Sequence, residues 1–167
     1  LNRILDPDIR ILKVSTVTDK FHARFSAVER EYQYRLADNN QIVLPLERYN
    51  TAAWFRALDV DRLNEASSLL LGEHDFVAFC KFREDQKTVR TLKKFHWSRL
   101  NSGILIADVA ANAFCYSMVR NLVGAAVAVG EGRFEKEWAQ AILDNKERVS
   151  DSYVFPANGL TLVKVTY

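Results

Sequence analysis

Residues 112–130 read "NAFCYSMVRNLVGAAVAVG", and the only charged side chain between Asn112 and Gly130 is Arg120. A membrane-spanning helix needs about 20 consecutive apolar residues. Here only Leu122 to Gly130 runs without a polar interruption, so the segment predicts a buried helix of a folded body. Its expected extent is about Tyr116 to Val129, with Met118, Leu122, Ala125, Ala126 and Val129 on one side. Arg120 then lies inside that body or at its edge, where a guanidinium taken out of water must meet an anion. Asp108 and Asp75 are the in-chain candidates. A position at a cleft rim, away from both, would instead point to an anion supplied from elsewhere.

On either side of this helix the chain alternates. "FHARFSAVEREYQYRLAD" places Tyr32, Tyr34 and Leu36 on one parity, with Glu31, Gln33 and Arg35 between them, so residues 28–37 predict a strand. Residues 8–17 alternate more loosely through Ile9, Ile11, Val14 and Val17. Asp59 is placed to cap a helix carrying Leu63, Ala66, Leu69 and Leu70, with Gly72 as its terminating glycine. "TVRTLKKFHWSRL" and "GILIADVAA" predict a hairpin turning at Asn101-Ser102-Gly103. Gly130-Glu131-Gly132 breaks the central helix, a short helix is expected over 135–143, and "GLTLVKVTY" closes the chain as a strand. The large elements run strand, helix, strand, strand, helix, strand. That is the α+β, ferredoxin-like (RRM-like) split βαβ order, an antiparallel sheet with helices on one face.

A chain of 167 residues with 49% hydrophobic content can bury a core as one domain or as half of a larger one. The net charge of +2 announces no nucleic-acid partner by itself. Local charge says more: Lys81, Arg83, Lys87, Arg90, Lys93 and Lys94 crowd one stretch against only Glu84 and Asp85. Such a stretch serves either as phosphate-binding surface or as a solvated loop and strand face. "GEHDFVAF" (72–79) matches the RNP1 aromatic signature poorly, so Phe76 and Phe79 are read as core. Cys80 and Cys115 stand far apart in sequence without a C-x-x-C pair, and His22, His74 and His96 lack ligand spacing, so no metal site or redox motif is expected. No charged-then-apolar leader opens the sequence, and a reducing cytoplasm is the expected compartment. The first residue is Leu1, which reads as a truncated or processed product. Arg24, Arg30, Tyr32 and Arg120 remain as a possible RNA surface and an arginine awaiting an anion, although a lone strand tyrosine is more often half-buried core.

The order of motifs carries more than any one of them. F-x-A-R followed by Y-x-Y (Phe21 to Tyr34), "LLGEHDFVAFCK", "TVRTL", N-A-F with M-V-R-N (Asn112 to Asn121) and P-A-x-G-L (Pro156 to Leu160) together resemble the C-terminal half of the tRNA pseudouridine synthase A family, over about Leu5 to Tyr167. The resemblance implies that residues 1–167 are a single C-terminal domain of an isomerase acting on uridines in the anticodon stem-loop of tRNA. It implies no metal and no organic cofactor, and a homodimer with tRNA crossing both subunits. It also implies roles. Tyr32 matches the active-site tyrosine that stacks on the target uracil, and Arg120 the arginine that pairs with the catalytic aspartate. Leu160 matches the apolar wall of the base pocket, while Arg24, Arg30 and Arg90 are expected to meet the tRNA backbone. The family's catalytic aspartate lies in an R-T-D-x-G-V-H stretch of the N-terminal half, and no such stretch occurs in this sequence. The expectation is therefore an inactive fragment holding much of the base pocket. A stand-alone RRM-like RNA-binding module without catalysis is the alternative that the same element order allows.

Overall fold

A computed structural model describes residues 1–147 and 153–167. The main strands and helices are β1 (Glu29–Ala37), β2 (Ala52–Ala53), α1 (Val60–Ser68), β3 (Gly72–Asp75), β4 (Val89–Arg99), β5 (Leu105–Ala111), α2 (Met118–Gly130), α3 (Glu137–Asn145) and β6 (Leu160–Thr166). Antiparallel pairing joins β6 to β1, β1 to β5, and β5 to β4, so the four long strands stand in the order β6-β1-β5-β4. This is the ferredoxin-like arrangement that the element order predicted. Two short strands extend it, β3 beyond β4 and the parallel β2 at the end of β1.

The alternation of β1 decides what each sheet face does. Tyr34 lies opposite Ala107, which lies opposite Trp97, and Tyr32, Val109 and Phe95 form the next row. These rows pack into the same core as Leu63 and Ala66 of α1 and Leu122, Ala125 and Val129 of α2. The small side chains of Ala107, Val109 and Ala111 on β5 leave room for helices over the sheet. On the opposite parity, Asp108 accepts hydrogen bonds from Gln33 Nε2 (3.1 Å) and Lys94 Nζ (2.9 Å). Asp108 thus belongs to the polar face of the sheet.

α1 starts as its sequence predicts: Asp59 Oδ1 accepts from Asp61 N–H (2.8 Å) and Arg62 N–H (3.2 Å), satisfying donors that a helix start leaves free. It does not end at Gly72. The last helical residue is Ser68, and Gly72, at φ +109°, opens β3 instead. The glycine still answers to positive φ, in a turn into a strand. Residues 8–17, which alternate only loosely, form no strand, and Ile9, Leu12, Val14 and Val17 are exposed. The hairpin turns where expected, with Gly103 at φ +89° and its N–H bonded to the Leu100 carbonyl. Phe76 and Phe79 are fully buried, in keeping with their reading as core. Among the described residues, no helix is long and apolar enough to cross a membrane.

Candidate active-site cleft

One open cleft of about 960 Å³ lies where the ends of β1 and β6, the 83–90 segment and the entry to α2 converge. All six residues singled out in the sequence line it: Tyr32, Arg120, Leu160, Arg24, Arg30 and Arg90. They come from five separate parts of the chain, and only the sheet order brings them together.

Tyr32 sits on β1 between Val109 of β5 and Leu162 of β6. The β1–β6 register shifts between Glu31 and Tyr32, an irregularity of the kind that re-aims a side chain. Phe114 meets the Tyr32 ring edge-on, with centroids 5.1 Å apart and planes at 87°. The phenol is half-buried, with its ring braced on one side and the cleft on the other. Two residues along, Tyr34 faces the core and donates its hydroxyl to the Pro156 carbonyl (2.8 Å). Burial pushes its phenol well above the usual tyrosine range, so Tyr34 is a structural anchor and not an acid-base group. Leu160 pairs with Tyr34 across the sheet and brings an apolar side chain to the cleft.

Arg120 lies in the first turn of α2 and is half-buried. Its Nε donates to the Phe155 carbonyl, and the Phe155 N–H donates back to the Arg120 carbonyl (3.3 Å). Neither in-chain carboxylate proposed for it is its partner. Asp108 is engaged on the far face of the sheet, and Asp75 is paired with Lys146 at 3.4 Å. The helix entry itself is unusual, because Ser117 holds φ +65° without a side-chain cap. A non-glycine residue in this region costs of order 1–3 kcal/mol and persists where its surroundings fix it.

The cleft is positively charged in a particular way. Arg35, Arg56, Arg62, Arg99 and Arg133 all form ion pairs elsewhere in the molecule. Arg24, Arg30, Arg83, Arg90 and Arg120 form none with any carboxylate among the described residues, although Glu84 and Asp85 share the cleft. Backbone carbonyls hold two of them in place. Arg30 donates to the carbonyls of Asn112 (3.3 Å) and Arg24 (2.8 Å), and Arg90 to those of Val89 and Lys87. Among the described residues Arg90 Nε is buried without a partner, and burial together with the nearby Arg30 charge lowers the Arg90 pKa. Adjacent guanidinium groups oriented by neutral acceptors are arranged to receive an anion.

The sequence reading missed several members of this cleft. Phe114 and Asn112 stand in the quoted N-A-F motif yet were given no role. Asn112 Oδ1 accepts from the N–H groups of Thr91 (3.0 Å) and Ala113 (2.7 Å), fixing the end of β5 beside the arginines. Arg83 lies with its guanidinium 4.1 Å from the centre of the Tyr116 ring. Cys80 and Cys115, whose separation without a C-x-x-C pair led to the expectation of no redox motif, are brought sulfur to sulfur with Cα atoms 5.7 Å apart. Spacing along the chain could not show this, because two loops from different layers bring them together. Among the described residues no cluster of metal-ligating side chains occurs.

A model of the tRNA pseudouridine synthase family matches residues 66–167. A relative from Frankia casuarinae, named tRNA pseudouridine synthase A, is 48% identical over 167 residues, covering 100% of this chain and 61% of the relative. Relatives of the same name from Leifsonia xyli and Cutibacterium acnes are 45% and 46% identical, with 96% and 100% of this chain covered and 56% and 61% of the relatives. The chain therefore spans well under two thirds of the length of these curated relatives.

Proposed function

The chain belongs to the tRNA pseudouridine synthase family, and we propose that it supplies the base pocket and RNA-facing surface of an enzyme converting uridine to pseudouridine in the anticodon stem-loop of tRNA. The observation that carries this reading is the convergence of Tyr32, Arg120 and Leu160 on one cleft with four further arginines that form no ion pair with a carboxylate among the described residues.

The reaction breaks the bond between uracil N1 and ribose C1′, turns the base, and forms a bond from C5 to C1′. The C5 proton is lost and N1 gains one, so the exchange is redox-neutral and is proposed to need neither metal nor organic cofactor. In this cleft the uracil lies against Tyr32, whose ring Phe114 braces, with Leu160 excluding water from one side. Base-to-aromatic stacking contributes about 1–3 kcal/mol. Arg24, Arg30 and Arg90 take phosphates flanking the flipped nucleotide and thereby position the RNA without reading its sequence. Arg120 pairs with the catalytic aspartate, holding it ionised, as a neighbouring cation lowers a carboxyl pKa by about 1–3 units.

That aspartate is proposed to come from the part of the protein that precedes this stretch in its relatives, since the sequence contains no R-T-D-x-G-V-H motif. Residues 1–167 are accordingly proposed to be a single C-terminal domain, inactive alone, of a cytoplasmic homodimeric enzyme. Release of tritium from tRNA labelled at uracil C5 tests the reading. The whole protein is expected to release it, and Arg120→Ala in that protein is expected to slow release about 100-fold or more, the scale of losing a group that orders a catalytic residue. Undiminished release by Arg120→Ala would sink the assigned role.

A further inference from the structure

Cys80 follows the buried Phe79 and leads into the basic segment 81–87, and Cys115 lies two residues before α2 enters the cleft at Ser117. Their Cα separation of 5.7 Å is within the range that a disulfide spans without moving the backbone. Phe79 is fixed from the other side, because the buried Asn121 of α2 donates to its carbonyl (2.6 Å). Beyond Cys80 the attachment becomes sparse. Residues 81–85 are all exposed, Phe82 at 88%, and among the described residues the segment meets the α2 entry through exposed groups: Lys81 N–H to the Tyr116 carbonyl (2.8 Å), Tyr116 N–H to Gln86 Oε1 (3.2 Å), and the Lys81 and Arg83 cations over the Tyr116 ring. Among the described residues, the cysteine pair is the buried tie at that junction. Segments held by few buried contacts and exposed hydrogen bonds open locally at low cost.

We propose that Cys80 and Cys115 form a reversible redox latch that fixes the 81–87 wall of the cleft when oxidised and releases it when reduced. Both states are accommodated. Cys115 lines the large cleft and Cys80 a smaller neighbouring pocket, and with the two residues only 6% and 5% exposed their sulfurs are reached when the 81–87 wall opens. In the reduced state the Cys80 thiol has an acceptor in the Phe76 carbonyl at 3.0 Å. The oxidant is a small-molecule disulfide. The Cys115 thiolate attacks one of its sulfurs and expels one thiolate, and the Cys80 thiolate then attacks Cys115 Sγ and expels the second. Two protein thiols lose two protons and two electrons, and two small-molecule thiols are formed. In a reducing compartment such pairs are dithiols by default and close transiently, which is the behaviour of a sensor.

The latch bears on function because Arg83 and Lys87 both face the cleft from the latched wall. This consequence rests on the RNA-binding reading above; the latch itself does not. Trypsin, which cuts after Lys81, Arg83 and Lys87, provides the test on protein equilibrated in oxidised and reduced glutathione buffers. Cleavage in this segment is expected to be about 10-fold faster when reduced, because opening becomes easier. Cys80→Ser, which keeps a donor toward the Phe76 carbonyl, is expected to cleave at the fast rate in both buffers. Equal cleavage rates for the unaltered protein, or two free thiols by alkylation and mass in every buffer, would overturn the latch. In parallel, affinity for a tRNA anticodon stem-loop is expected to fall about 5-fold on reduction, as preorganisation is lost. Equal affinity in both buffers would overturn the latch as a regulator of binding. Absence of binding in either buffer would overturn the RNA reading and leave the trypsin comparison to decide the latch.

Discussion

Arg120 and Phe155 hold each other from both sides: the Arg120 side chain donates to the Phe155 carbonyl, and the Phe155 N–H donates to the Arg120 carbonyl. Phe155 is itself fully buried against Tyr34 and Trp54. The guanidinium is thus oriented by the body of the protein before any anion arrives. Arg120→Lys keeps the charge but loses this planar bond, so it is expected to fold normally and to lose at least about 10-fold in turnover by the whole protein, since lysine cannot reproduce a guanidinium's fixed donors. Wild-type turnover by this variant would show that charge alone suffices.

The arginines of the cleft make a quantitative expectation. If Arg30 and Arg90 each neutralise one phosphate, Arg30→Gln and Arg90→Gln should each reduce the slope of log affinity against log salt by about 1. Anisotropy titrations with an anticodon stem-loop over a range of salt concentrations measure this. Slopes equal to wild type would remove these residues from the RNA surface.

Acid stability should depend on Asp38, which is buried and takes two bonds from Arg99 (2.7 and 3.0 Å) and one from the Leu58 N–H (2.8 Å). Burial works to raise its pKa, but the hydrogen bonds from Arg99, Leu58 and its own backbone, with the Arg99 charge, together outweigh it, and the pKa is lowered. A lowered native pKa gives stability that is present above the unfolded value of about 3.9 and lost as pH falls through the native value. Unfolding should therefore set in below about pH 4. Asp38→Asn should flatten that acid limb and, with Arg99 partly exposed, cost about 2 kcal/mol at neutral pH. Urea denaturation across pH reads both, and an unchanged acid limb would count against the pair.

Gly159 is required by close approach: a Cβ there would come 2.6 Å from Tyr34 Cζ and 2.7 Å from the Arg35 carbonyl. Gly159→Ala should cost about 1–3 kcal/mol in urea denaturation, as overpacking does. It should also weaken RNA binding by displacing the neighbouring Leu160. A neutral substitution would mean that the 157–160 segment yields freely.

Much of this architecture was legible because it rests on local signals. Tyr32, Tyr34 and Leu36 showed their strand through strict alternation, Asp59 its cap through side-chain chemistry, and Gly103 its turn through positive φ. β3 escaped because four residues beginning in a glycine carry too short a pattern, and it exists only by pairing with Val89 to Leu92. For the site, the motifs could name Tyr32, Arg120 and Leu160 but not their supports. The brace of Phe114 on Tyr32 and the meeting of Cys80 with Cys115 depend on how loops cross, which no spacing along the chain encodes.

The most direct test of the proposed function is tritium release from tRNA labelled at uracil C5, run side by side with this 167-residue chain and with the whole protein. The expected result is release by the whole protein and none above background by the chain alone, which has the pocket and the arginine but no R-T-D-x-G-V-H carboxylate for it. Turnover by the chain alone would contradict the account, because Arg120 would then be serving an acid already within these residues.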